Sequence, residues 1–93
     1  MKIGICVVDL YFPGKSSLKG KRQVLRSIKD RIKNRFNVSV AELEDHDKWQ
    51  RTKLGIVTIS NDGQHANSTL TGVMDFIEGF GEAQVLDYTI QLM

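Results

Sequence analysis

Residues 36–60, Phe36-Asn37-Val38-Ser39-Val40-Ala41-Glu42-Leu43-Glu44-Asp45-His46-Asp47-Lys48-Trp49-Gln50-Arg51-Thr52-Lys53-Leu54-Gly55-Ile56-Val57-Thr58-Ile59-Ser60, have the period of strands and stand between two segments with the period of helices. Phe36, Val38 and Val40 alternate with Asn37 and Ser39, as in a half-buried strand whose side chains take opposite faces in turn. The polar run from Glu42 to Asp47 reads as the turn of a hairpin. Its return strand covers roughly 49–60 around the β-rich core Ile56-Val57-Thr58-Ile59.

Working back toward the N-terminus, Leu18, Leu25, Ile28 and Ile32 recur at helical spacing, and Ser16 and Ser17 offer oxygens to cap a helix over 18–35. Before it, residues 2–12 are dense in Ile, Val, Leu and aromatics and end at the turn pair Pro13-Gly14, which makes them a strand. Working forward, Asn61-Asp62-Gly63 supplies a turn and a cap. Ala66, Leu70, Val73, Met74 and Ile77 then follow helical spacing over about 64–78, and Gly79-Phe80-Gly81 ends the helix. Residues 85–92 form a last strand in which Leu86, Tyr88, Ile90 and Leu92 share one face. The order is βαββαβ. With right-handed crossovers it predicts an α+β, ferredoxin-like fold, a four-stranded antiparallel sheet with two helices on one face, as a single domain over residues 1–93.

The composition fits such a unit. Ninety-three residues, 41% hydrophobic and 26% charged with eight glycines and one proline, exclude collagen-like, proline-rich and disordered classes and leave room for one core. The single cysteine, Cys6, excludes an intramolecular disulfide and a Cys-based zinc site and favours a reducing compartment. Asp9 interrupts the apolar start too early for a signal peptide, and no apolar run approaches the ~18 residues of a membrane span. The expectation is a soluble, cytoplasmic protein without a membrane partner.

Charge is segregated along the chain. Residues 15–35 hold nine of the thirteen cations and one acid, a net +8, while the remainder carries four cations and ten acids, a net −6. On a helical wheel with Leu25 at zero, the apolar stripe lies between about −60° and +20°, and Lys29, Arg22, Lys33, Arg26 and Lys19 fall between about 40° and 120°. They form a ribbon of positive charge. Lys21, Arg31 and Arg35 are assigned to the opposite flank. Cations in the first turn oppose the helix dipole, which an anion docked there with Ser16 or Ser17 would relieve. The candidate nucleic-acid contacts are therefore Lys19, Lys21, Arg22, Arg26, Lys29, Lys33 and Arg35, with Arg51 in the hairpin. The competing reading is a solvated amphipathic helix whose Lys and Arg stems shield the edge of the core.

Other chemistry has less support. Pro13-Gly14-Lys15-Ser16-Ser17 resembles the end of a phosphate loop, but Asp9 stands where its first glycine belongs. His46 lies among Glu42, Glu44, Asp45 and Asp47 without the pattern of a calcium loop, and His65 has no partner by spacing. No paired Cys and His and no nucleophile elbow occur, so no catalytic residue, metal site, cofactor or small-molecule substrate is assigned. The third strand lacks the stacking aromatics of an RRM. Trp49, at a strand start, is expected to anchor the edge of the core rather than to stack on a base.

Ser17-Leu18-Lys19 with Lys21-Arg22, Arg35-Phe36-Asn37-Val38-Ser39-Val40-Ala41-Glu42, Asp47 with Trp49-Gln50-Arg51, and Leu54-Gly55 together resemble the YlxP-like family of small bacterial domains of unknown function. Gly20 departs from the acidic residue that often stands between the two lysines. The resemblance implies a cytoplasmic ferredoxin-like domain, often encoded near translation and ribosome-maturation genes, and supplies no reaction. Three functions follow as expectations. The first is a non-catalytic module that binds RNA or the ribosome through the basic helix. The second is a homodimer, because Ile3, Ile5 and Val7 oppose Cys6, Val8 and Leu10 and make both faces of strand one apolar. The third is a small-molecule sensor with its ligand at a dimer edge.

Overall fold

The computed structural model of the chain describes residues 1–14, 17–45 and 48–93. Six elements follow one another: β1 (Lys2–Tyr11), α1 (Leu18–Arg35), β2 (Ser39–Glu44), β3 (Arg51–Ser60), α2 (Gly63–Glu78) and β4 (Gln84–Leu92). The strands form one antiparallel sheet in the order β2-β3-β1-β4, so both crossover helices return to the same face. This is the expected ferredoxin-like α+β fold.

Alternation along β1 and β3 decides what the helices cover. Cys6, Val8 and Leu10 of β1 and Leu54 and Ile56 of β3 are buried against Leu25, Ile28 and Ile32 of α1 and Leu70, Val73, Met74 and Ile77 of α2. α2 approaches β1 closely at Gly4, where a Cβ would stand 2.8 Å from Leu70 Cδ1, so a larger residue there would force the Leu70 side chain to shift. Burial holds the Cys6 thiol up to about 11, which keeps it protonated and unreactive at neutral pH.

Capping fixes where the helices begin. Ser17 Oγ accepts the Gly20 N–H at 3.1 Å, and Asp62 Oδ1 accepts the Gln64 N–H at 3.0 Å, each satisfying an amide left open by the first helical turn. Ser16, the other expected cap, lies outside the described residues, as do Lys15, His46 and Asp47.

Three expectations need correction. Phe36 does not open β2. Its N–H donates to Ile32 O at 2.9 Å, so it caps the C-terminus of α1, and its ring meets Phe76 of α2 edge-on at 6.5 Å. β2 accordingly starts at Ser39 and runs on through Glu44, into the segment expected to be turn. In β4 the register shifts opposite Asp9 and Leu10, where Asp9 faces Asp87 but Leu10 faces Val85. The bulge turns Val85 onto the core side with Tyr88 and Ile90, so Val85 does not share the face of Asp87, Thr89 and Gln91. Trp49, expected as an anchor, is 54% exposed.

Candidate nucleic-acid interface

The structure sorts the eight candidate cations into four groups. Lys19, Arg22, Arg26 and Lys33 are exposed on one side of α1 and make no ion pair among the described residues. Lys19, Arg22, Gln23 and Arg26 line a depression of about 430 Å³. A second depression of about 300 Å³, bounded by Arg22, Leu25, Arg26, Lys29 and Glu42, continues the surface toward β2.

Lys29 belongs to the same ribbon but is already neutralised. Its ammonium is 2.9 Å from Glu42 Oε2 on β2, and both side chains are about three-quarters covered. The pair ties α1 to the edge of the sheet and removes one cation from the track.

Lys21 leaves the surface altogether. It is fully buried, and its ammonium donates to the carbonyl oxygens of Asp45 and Lys48, each at 2.6 Å. A charge taken out of water needs such acceptors, since an unpaired buried ammonium is strongly destabilising. The sequence expectation that Lys21 would contact nucleic acid is thereby corrected: the side chain ties the first turn of α1 to the β2–β3 hairpin. The hairpin turn is closed by the Lys48 N–H donating to Asp45 O at 3.2 Å, with Asp45 in the left-handed region at φ 68°. The hydrogen bond from Lys48, 3.1 Å from Asp45 Oδ1, holds the Asp45 carboxyl below its usual range. Desolvation opposes this, and the charges of Lys48, Arg51 and Lys21 reinforce it.

Arg35 and Arg51 are not brought to the ribbon. Arg35 lies over the Phe76 ring at 5.2 Å and Arg31 over Phe80 at 5.3 Å, in the groove between α1 and α2. Arg51 opens β3 opposite Tyr11, on the helix-free face of the sheet. There Ile3, Ile5 and Val7 of β1 lie beside Ile59, Val57 and Gly55 of β3, and Leu43 folds over Gly55, where a Cβ would stand 3.1 Å from Leu43 Cδ1. Val57 and Ile59 remain 40% and 55% exposed. A charged row, Glu44, Lys53, Asp9 and Asp87, crosses all four strands and bounds this apolar area.

Elsewhere, a depression of about 640 Å³ at the start of β4 is flanked by Glu78 and Asp87, carboxylates that disfavour a polyanion. Among the described residues no three His, Cys, Asp or Glu side chains converge as metal ligands, and no helix is long and apolar enough to cross a membrane.

Similarity to known proteins agrees with this architecture. The chain is 40% identical over 79 residues to the uncharacterized protein YlxP of Bacillus subtilis, covering 85% of this chain and 84% of that protein. Among solved structures it is similar to a mutant form of SnoaB, a cofactor-independent oxygenase from Streptomyces nogalater. That match has a TM-score of 0.54 at 10% identity and covers 99% of this chain and 90% of the other. It is also similar to LarC2, the C-terminal domain of a cyclometallase involved in synthesis of the NPN cofactor of lactate racemase, with a TM-score of 0.52 at 12% identity over 100% of this chain and 55% of that one. At such identities the likeness to these two structures shows the fold alone. The family DUF503, described as a protein of unknown function, matches residues 3–90, and with the YlxP relative this establishes that the chain belongs to it.

Proposed function

We propose that this protein is an RNA-binding module that grips phosphate through α1. The observation that carries the reading is the set of four exposed cations, Lys19, Arg22, Arg26 and Lys33, on one helix side without carboxylate partners among the described residues. Asp30 stands four residues after Arg26 and three before Lys33 yet forms no ion pair with either, and a helix surface selected only for stability would keep Lys19 out of the first turn, where the dipole opposes it. Phosphate contacts of this kind give affinity without base preference. Free RNA and RNA within a ribosome offer the same backbone. Fluorescence anisotropy of a labelled 12-nucleotide RNA tests the reading: Arg22→Gln with Arg26→Gln should weaken binding at least tenfold while leaving the melting temperature within a few degrees. Absence of binding by the unmodified protein defeats it.

A second reading, self-association, is favoured by the helix-free face. Four strands about 4.8 Å apart and some 9 residues long present roughly 600 Å² per copy, and two such faces together reach the lower bound of stable interfaces, ~1,200 Å². The occupant that suits an apolar area bounded by a mixed-charge row is a second copy of the same face, because the row carries both signs and can pair across a two-fold axis. Light scattering at ~100 µM, enough to populate a ~10 µM dimer, should give the mass of two chains, and Val57→Lys should give one. A single-chain mass for the unmodified protein contradicts this reading.

A further inference from the structure

We infer that the outer edge of β4 is a self-pairing surface: a second copy of this chain adds to it in antiparallel register about Ile90 and continues the sheet from one copy into the other. The inference rests on neither reading above, because this surface is neither α1 nor the helix-free face.

The two edges of the sheet differ. β4 ends the order β2-β3-β1-β4, and among the described residues no strand lies beyond it. β2, the other edge, is six residues long, carries Glu42 and Glu44 and breaks register between them. Shortness, charge and bulges are what keep an edge from pairing. From Tyr88 to Leu92, β4 has no charge, no proline and no bulge, and Tyr88 and Leu92 are 45% and 46% exposed. An uncharged, apolar edge is a template for another strand.

The phase of the hydrogen bonds determines which groups are open. Ile3 and Met93 exchange both of their N–H···O bonds, at 3.0 and 2.8 Å. Alternation along the antiparallel ladder then turns the amides of Gln91, Thr89 and Asp87 toward β1 and those of Leu92, Ile90 and Tyr88 away from it. The Tyr88 N–H agrees, since it donates to Asp87 Oδ1 at 2.9 Å instead of to β1. That carboxylate and the bulge before it mark where the open edge begins.

The two-fold register centred on Ile90 uses every open group. Ile90 faces its own copy, and on either side Tyr88 faces Leu92 of the second copy. The amides of Ile90 and Leu92 find carbonyl oxygens across the axis, and the Tyr88 amide gains one on leaving Asp87. Tyr88 and Ile90 stand opposite the buried Val8 and Cys6 of β1, on the helix side of the sheet. There Tyr88 packs on Leu92 and Ile90 on Ile90 as cross-strand apolar pairs. On the other side Thr89 meets Gln91, and the two Asp87 carboxylates stay apart at the ends of the ladder. Moving the axis toward Asp87 would draw the bulge and the carboxylates into the contact. A two-fold interface requires such self-complementarity, which selects a second copy over an unrelated strand. The Lys29–Glu42 pair holds α1 at the β2 edge, so pairing through β4 leaves both cation ribbons open at the outer ends.

A strip one strand wide and about 17 Å long buries less than the ~1,200 Å² of a stable interface, so the pair alone is weak. Sedimentation equilibrium of Val57→Lys, which charges the helix-free face two strands away, isolates it. The mass should lie close to one chain at ~100 µM and climb toward two at ~1 mM, as for a pair of ~0.5 mM. Adding Thr89→Lys with Gln91→Lys, exposed positions where like charges would then stand opposite each other, should weaken association at least tenfold, and so should Thr89→Glu with Gln91→Glu. An equimolar mixture of the two should associate again, because each ammonium then faces a carboxylate, and this recovery also shows that both variants fold. A single-chain mass at ~1 mM, or association indifferent to both charge variants, overturns the inference. Self-association through the helix-free face survives that result if the unmodified protein pairs at ~100 µM and Val57→Lys abolishes it. If Val57→Lys instead leaves two chains at ~100 µM and adding Thr89→Lys with Gln91→Lys gives one, the face reading fails and the β4 pair stands.

Discussion

The ammonium of Lys21 lies 2.6 Å from the carbonyl oxygen of Lys48, joining the first turn of the basic helix to the hairpin on the far side of 27 residues of chain. A cation of the basic helix is buried inside the fold, and its hydrogen bonds tie the β2–β3 hairpin to the helix. Replacing it by an isosteric apolar residue would leave the carbonyls of Asp45 and Lys48 without this donor. Lys21→Met is expected to lower stability by about 2 to 3 kcal/mol, the loss of charge-assisted hydrogen bonds to buried acceptors, a fall in Tm of roughly 10 to 20 °C for a domain this small. Thermal denaturation followed by circular dichroism checks this. An unchanged Tm would show that the ammonium does not hold the hairpin.

Cys6 gives a prediction with a defined pH window. The ordinary thiol value is 9.0 and the folded one about 11, so the unfolded chain loses its proton first as pH rises. The contribution to stability is complete below pH 9 and disappears as pH climbs through 11. At pH 8 the native thiol should resist 5,5′-dithiobis(2-nitrobenzoate) for hours and react within seconds in 8 M urea. Rapid reaction of the native protein would show that β1 opens where the helices are taken to cover it.

The Lys29–Glu42 pair makes a prediction of opposite sign to the usual charge deletion. Glu42→Gln releases Lys29 into the ribbon, so RNA should bind more tightly, and the dependence of log affinity on log salt should steepen by about 0.7, one further phosphate on a single strand. Stability should fall by no more than ~1 kcal/mol, as for other partly exposed pairs. Weaker RNA binding by this variant would place the phosphates elsewhere.

Much of this could be read in the sequence, and what could not has identifiable causes. The stripe Leu25, Ile28 and Ile32 and its counterpart Ala66, Leu70, Val73, Met74 and Ile77 are all buried, because helical period is local and each stripe has a sheet to face. The same wheel that set out the ribbon puts Lys21 at about −40°, inside the apolar stripe. Its burial was therefore legible from position, and only its residue type pointed to the surface. The partners of Lys21 and Lys29 are 27, 24 and 13 residues away, and nothing in helical spacing reveals them. The bulge that brings Val85 onto the core side depends on how β4 pairs with Asp9 and Leu10, a non-local register that alternation cannot report. Trp49 escaped for a related reason. The return strand begins at Arg51, two residues later than its composition suggests, so Trp49 lies in the hairpin connection outside the sheet.

The central claim, that α1 binds RNA phosphate with its four unpaired cations, is tested most directly by the salt dependence of affinity for a single-stranded RNA, measured by anisotropy across a range of potassium chloride. Four phosphates on a single strand predict a slope of about −3 in log affinity against log salt, and Arg22→Gln with Arg26→Gln should flatten it to about −1.4 while binding weakens alike for every RNA sequence. A slope that is the same in the double variant and the unmodified protein would contradict the claim.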